Sequence, residues 1–292
     1  MKPDEPLDAE DPILDEKDRL PFLPIYNPEE DDVEEGPEDL DEEDFDEDNP
    51  RTVLITGALG NIGRKLRAAW SDQYDLVLLD TQEDPDDPEV IRADLSRIDD
   101  DWINHFHGVD TVIHLAANPD PSATWPELIP GNLDAMANVL HAAALAGAER
   151  LIFASSNHVM GGYQESGQGQ IEPDMPANPD GPYGVTKLMG ERMGQSLGHA
   201  FDMTFVAIRI GLVQPGENRP ETLQDDWSRQ LWLSNNDLIR LFDLAVEAEL
   251  DETDFLVVNG MSNNRGMRWS LDSAIAFLGY EPQDDAYADP AG

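Results

Sequence analysis

The chain changes character at Arg51, and that change limits the fold more than any other feature. From there on, short β-branched runs alternate with segments of helical period. Strands are predicted over 52–56, 75–80, 110–115, 150–155, 203–210 and 255–259, and helices over 64–70, 128–146, 183–197 and 235–249. Strands joined by helices of this length build parallel β-α-β units covered on both faces. The expected architecture is an α/β doubly wound parallel sheet. Residues 51–210 would form the cofactor-binding core, and 211–292 a small substrate cap mixed with the remaining core elements of 235–259. No internal repeat is visible.

Residues 1–50 read differently. They carry 23 Asp or Glu against three bases, Lys2, Lys17 and Arg19. So acidic and proline-rich a segment buries too little apolar surface to offset its ordering entropy, and it is expected to be a disordered tail whose partner, if it has one, the sequence does not identify. The remainder is acidic as well, with 39 acids against 15 bases, and only Lys2, Lys17, Lys65 and Lys187 are lysines in the whole chain. Such a surface repels polyphosphate and anionic lipid, so neither nucleic acid nor membrane is an expected partner. It suits a protein kept soluble at high salt and equally an ordinary acidic enzyme. There is no cysteine, which excludes disulfides, thiolate metal sites and a cysteine nucleophile; no metal is called for. Without a basic, apolar leader or a run of about 20 apolar residues, the expected location is the cytoplasm.

Gly57, Gly60 and Gly63, with Asn61 and Ile62 between them, follow a strand and open a helix. In that setting glycines allow a tight turn, close approach of backbone N–H groups to a pyrophosphate, and close helix packing, making the sheet Rossmann-type. Asp80, ending the second strand, stands where a carboxylate accepts hydrogen bonds from an adenosine ribose and repels the extra phosphate of NADP, so NAD is the expected cofactor. A solvent-facing or capping Asp is the alternative. Asp94 and Leu95 fall near the adenine, and Leu115, Ala116 and Ala117 supply small residues beneath the dinucleotide. Asn132, in the 128–146 helix, joins this cofactor-binding set.

Tyr183 and Lys187 lie one helical turn apart on one face. An ammonium and an oxidised nicotinamide both favour phenolate, which lets Tyr183 act as a base near neutrality. The pair alone is also what a plain helix surface carries. Ser156, at the end of the 150–155 strand, adds a hydroxyl that reaches the same substrate oxygen. The strand-to-helix Gly-x-Ser-x-Gly turn of a serine hydrolase is missing.

The order of these motifs resembles the extended short-chain dehydrogenase/reductase superfamily, the NAD-dependent epimerase/dehydratase family, over residues 51–280. Phe153 to His158, Pro182 to Lys187, Arg209 to Gly211, Trp232 to Ser234 and Phe277 to Pro282 are similar to uronate dehydrogenases and an archaeal sugar-phosphate dehydrogenase. The resemblance implies oxidation of a hexuronate or hexose phosphate at its anomeric carbon to the lactone, with NAD as acceptor. Tyr183 would take the proton, Ser156 would orient the oxygen, and Lys187 would bind the nicotinamide ribose. Asn157 and His158 would contact sugar hydroxyls. The pattern departs after Gly211, where Leu212 stands in place of an expected serine; Arg219 and Arg229 are nearby candidates for the arginine that the resemblance expects shortly before Trp232 to hold the anion, Arg229 being the expected substrate contact and a surface role for each the alternative. A nucleotide-sugar epimerase or dehydratase with retained NAD, and a non-catalytic NAD-binding scaffold, are the competing readings. The protein is expected to act on a small molecule, alone or as a homo-oligomer.

If the tail is separate from the cofactor site, deleting residues 1–49 leaves NAD affinity unchanged in a fluorescence titration; a lost affinity would make the tail part of the fold.

Overall fold

The computed structural model describes residues 50–98, 100–165, 167, 169–250 and 253–288. The acidic segment before residue 50, and with it the expected tail, lies outside the described residues. Seven strands form one sheet: β1 (Thr52–Thr56), β2 (Asp75–Asp80), β3 (Val90–Arg92), β4 (Thr111–His114), β5 (Arg150–Ser156), β6 (Thr204–Ile210) and β7 (Phe255–Gly260). Their spatial order is β3-β2-β1-β4-β5-β6-β7 and every pairing is parallel. This is the predicted doubly wound sheet. The strand reading missed β3, only three residues long and preceded by the turn-rich, acidic stretch 84–89.

Side chains alternate across the sheet and divide the core into two layers. Val53, Ile55, Ile113, Ile152 and Val206 face one side, against α1 (Asn61–Trp70), α7 (Asn235–Glu247) and α8 (Asp272–Leu278). Leu54, Val112, Leu151 and Phe153 face the other, against α4 (Ala135–Ala146) and α5 (Pro182–Phe201). Helix α5 lies close on the sheet because Gly190 faces the Phe153 ring; a Cβ there would come within 2.6 Å of it. That contact sets the depth of the whole helix, and therefore of Tyr183 and Lys187 near its start.

The predicted 128–146 helix is built in three pieces. It begins earlier, with α3 (Trp125–Ile129), capped by the reciprocal Thr124 and Glu127 pair and carrying Pro126 in its first turn. A π-helical turn, Pro130–Asp134, then leads into α4. Pro130 brings no N–H to the ladder, and such wide turns aim side chains out of regular helical register. The remaining helices are short: α2 (Asp100–Ile103) and α6 (Asp226–Leu231). Residues 211–233 and 260–288 contribute a small satellite cluster of Leu223, Trp232 and Ala286 with Leu212 and Tyr287. Among the described residues no helix is long and apolar enough to cross a membrane.

With 39 acids against 15 bases beyond residue 50, the folded body repels itself. Salt at about 1 M shortens the screening length to roughly 3 Å, so the thermal midpoint rises between about 0.1 and 2 M KCl. A scanning calorimetry midpoint that stays level or falls would show that self-repulsion does not limit this fold.

Candidate active site

Parallel strands deliver their carboxyl ends to one edge, and a cavity of about 730 Å³ opens there. Its first wall is the glycine turn. Gly57 has φ +71°, a conformation that L side chains rarely adopt, and a Cβ on it would come within 2.9 Å of the Ala116 backbone nitrogen. Gly60, Asn61, Ile62 and Gly63 line the cavity at the amino end of α1, whose first N–H groups have no helical partners and carry partial positive charge. The Asn61 amide also donates to the Val213 carbonyl at 2.9 Å, fastening the segment after β6 to this turn.

Asp80 reaches the same cavity. One of its oxygens accepts from the Leu59 N–H at 2.9 Å and the other from Gln82 at 3.2 Å, so the carboxylate is fixed by the turn it serves. Asp94 and Leu95 lie along the lining as expected, with the Ser96 hydroxyl donating to Asp94 at 2.6 Å and holding its carboxyl below the usual range. Leu115, Ala116 and Ala117 form the floor. Beneath them His114 and the Thr56 hydroxyl are bonded at 2.8 Å, and burial, helped by the charge of Lys187, pushes the imidazole down to about 3, so it is neutral. These features together fit a dinucleotide.

Two expected residues are placed differently. Asn132, at the centre of the π-helical turn, is buried and is not part of the lining. Its amide accepts from the Asn118 N–H at 2.8 Å and donates to the Asn118 carbonyl and the Thr186 hydroxyl, tying the loop after β4 to α5. Arg229 is absent from the lining as well. Carried on α6, it packs over the Tyr287 ring at 5.5 Å and directs an N–H at the Leu223 carbonyl. Arg219 pairs with neighbouring Glu217 on an exposed surface.

The far end of the cavity gathers Ser156, Asn157, His158, Tyr183 and Lys187. Ser156 ends β5, with its hydroxyl accepting from the His158 N–H at 3.2 Å and close enough to the Tyr183 phenol to favour its ionised form. Lys187 is buried, donates to the Ala154 carbonyl at 2.8 Å, and stands 5.8 Å from the Tyr183 ring centre. Burial pushes the phenol up to about 12, against the pull of Ser156, and draws the Lys187 ammonium down to about 8. At this distance, and shared with a carbonyl, the ammonium by itself does not outweigh desolvation, which leaves the expected contribution of an oxidised nicotinamide as the other source of positive charge.

Sequence reading missed the groups behind this set. Asp180 accepts from His158 Nδ1 at 2.8 Å and fixes the ring edge-on to Tyr183, 5.5 Å between centres. Glu191, one turn beyond Lys187, accepts from the Ser155 hydroxyl at 2.6 Å and holds Arg209 through two bonds of 2.8 Å. Arg209 also donates to the Pro173 carbonyl, so one buried pair joins α5, β5, β6 and the loop that carries Asp180. The signal was present in Glu191 at helical spacing from Lys187, but a lone Glu on a helix gives no hint of burial.

A dinucleotide cradle facing a proton-transferring tyrosine on a neighbouring helix is the arrangement of the short-chain dehydrogenases/reductases, NAD-dependent oxidoreductases that act on CH–OH groups. Sequence comparison narrows this: the profile described as "NAD dependent epimerase/dehydratase family" matches residues 53–230, and the chain belongs to that family. It is 33% identical over 256 residues to an NAD-dependent glucose-6-phosphate dehydrogenase of Haloferax volcanii, covering 80% of this chain and 94% of the relative. An L-arabinose 1-dehydrogenase (NAD(P)(+)) of the same organism is 31% identical over 80% of this chain and 97% of its own length. A mutant uronate dehydrogenase from Agrobacterium tumefaciens, solved with NAD, superposes with a TM-score of 0.69 at 31% identity, covering 81% of this chain and 86% of that one.

Glu191 and Arg209 are only 1% and 3% exposed, so removing one charge leaves the other buried and uncompensated. Glu191→Gln is expected to lower unfolding stability by about 3–5 kcal/mol in urea titration, far beyond an exposed ion pair. A loss below about 1 kcal/mol would show that the pair does not organise the site.

Proposed function

We propose that the protein oxidises a sugar at its anomeric carbon to the corresponding lactone, with NAD as hydride acceptor. The observation that carries this reading is the convergence of Ser156, Tyr183 and Lys187 at one end of a cavity whose other end fits a dinucleotide. Bound there, NAD supplies the acceptor for the hydride of the anomeric C–H. Tyr183 takes the hydroxyl proton at its phenol oxygen. Ser156, beside that phenol at the same end of the cavity, holds the same substrate oxygen and keeps it aimed at Tyr183. Lys187 places a positive charge beside the ring and so favours the phenolate once it forms.

Asn157 and His158 meet the sugar hydroxyls in this reading. The Asn157 amide is anchored by donation to the Ile210 carbonyl at 3.1 Å, and His158 is held by Asp180, so both present a fixed geometry. The names of the relatives support a sugar as substrate, and the Tyr183 set supports its oxidation over mere cofactor binding, since a scaffold needs no proton acceptor. In a nucleotide-sugar epimerase the same groups would act with NAD retained and regenerated, so net NADH formation separates the two.

Tyr183→Phe is expected to lower kcat for NADH formation by about 10³-fold while NAD affinity stays within a few fold. Because burial keeps the Tyr183 phenol protonated at neutral pH, oxidation should speed up as pH rises from about 6 to 7, below the range near 8 in which Lys187 begins to lose its charge. A flat pH–rate profile together with an active Tyr183→Phe enzyme would remove Tyr183 from the mechanism.

A further inference from the structure

Resting on the oxidation proposed above, we infer that the sugar this site takes is an uncharged aldose, one that carries neither carboxylate nor phosphate. The described residues lining the cavity include one lysine, Lys187, and no arginine. Lys187 is committed to the Ala154 carbonyl and to the face of the Phe153 ring at 4.9 Å, at the floor of the site.

The other bases of this region are engaged elsewhere. Arg229, one of two arginines that the sequence offers for an anion, packs on Tyr287 outside the lining. Arg219 pairs with Glu217 on the surface, Arg209 is enclosed with Glu191, and Lys65 donates to the Gly216 carbonyl at 2.9 Å. Arg268 donates to the Gly169 and Tyr163 carbonyls.

What faces the reacting end instead is neutral or negative. Ile210, paired in register with Ser156, and Leu212 beyond it give the lining an aliphatic surface, which Val213 continues towards the glycine turn, where Asn61 donates to its carbonyl. Leu212 occupies the place where a serine was expected. Asp180 puts a carboxylate 2.8 Å behind His158. A substrate anion brought here would lose water without gaining a cation, and would meet a like charge through His158. The hydroxyls of a neutral sugar, by contrast, match a hydroxyl, a carboxamide, an imidazole and a phenol.

The test uses the full-length protein with saturating NAD and follows NADH absorbance against three sets of sugars: L-arabinose, D-galactose and D-glucose; D-glucuronate and D-galacturonate; and glucose 6-phosphate. The best neutral aldose is expected to exceed the best anionic sugar in kcat/KM by at least about tenfold. A smaller ratio, or a preference for an anion, overturns this inference and leaves the oxidation intact. No NADH from any of the three sets overturns the oxidation itself, and this inference with it. As a second arm, Arg229→Ala should leave the ratio of neutral to anionic turnover unchanged; a rise caused by selective loss of the anionic sugars would put Arg229 on the substrate and overturn it.

Discussion

Parallel pairing with the strands in register is the constraint on which everything else rests. Thr56 pairs with His114, His114 with Phe153, and Ser156 with Ile210, so the strands reach their carboxyl ends along one edge. Each group of the site leaves the sheet there: the glycine turn after β1, Asp80 at the end of β2, the small residues after β4, Ser156 on β5 and the aliphatic wall after β6. Loss of that alignment would scatter a constellation whose members are up to 156 residues apart in sequence, from Gly57 to Val213.

The second determinant is the depth at which α5 lies on the sheet. Its glycine against Phe153 lets the helix press down until Lys187 is buried, and burial has a chemical consequence. A desolvated ammonium near pKa 8 is poised between charged and neutral forms, and a desolvated phenol near 12 is a reluctant base on its own. In the proposed oxidation, Tyr183 would stay protonated until positive charge from a bound cofactor favours its phenolate. Glu191, Arg209 and Asn132 do their work behind these groups: they fix the helix, two strands and two loops to one another without touching the cavity.

Much of this was legible in residue order. The abrupt start of strand and helix alternation at Arg51 predicted the sheet, because periodicity reports which side chains must be buried. The glycine turn and Asp80 were legible because their spacing is dictated by backbone geometry, which is local. Asn132, expected among the cofactor contacts, stands outside the lining: a helix drawn straight through Pro130 gives no sign of the π-helical turn that redirects its amide. Arg229, a candidate because it falls shortly before Trp232, is carried by short α6 onto Tyr287 and away from the lining.

Composition and order by themselves determined the doubly wound class, the cofactor turn and the Ser156, Tyr183 and Lys187 set, since each depends on local backbone demands or on hydrophobic period. Only the tertiary structure decided which charges line the cavity. It buried Glu191 with Arg209, set Asp180 behind His158 and left the reacting wall aliphatic. Those outcomes depend on contacts between residues far apart in sequence, where a few ångströms decide whether an arginine holds a ligand or a neighbouring ring.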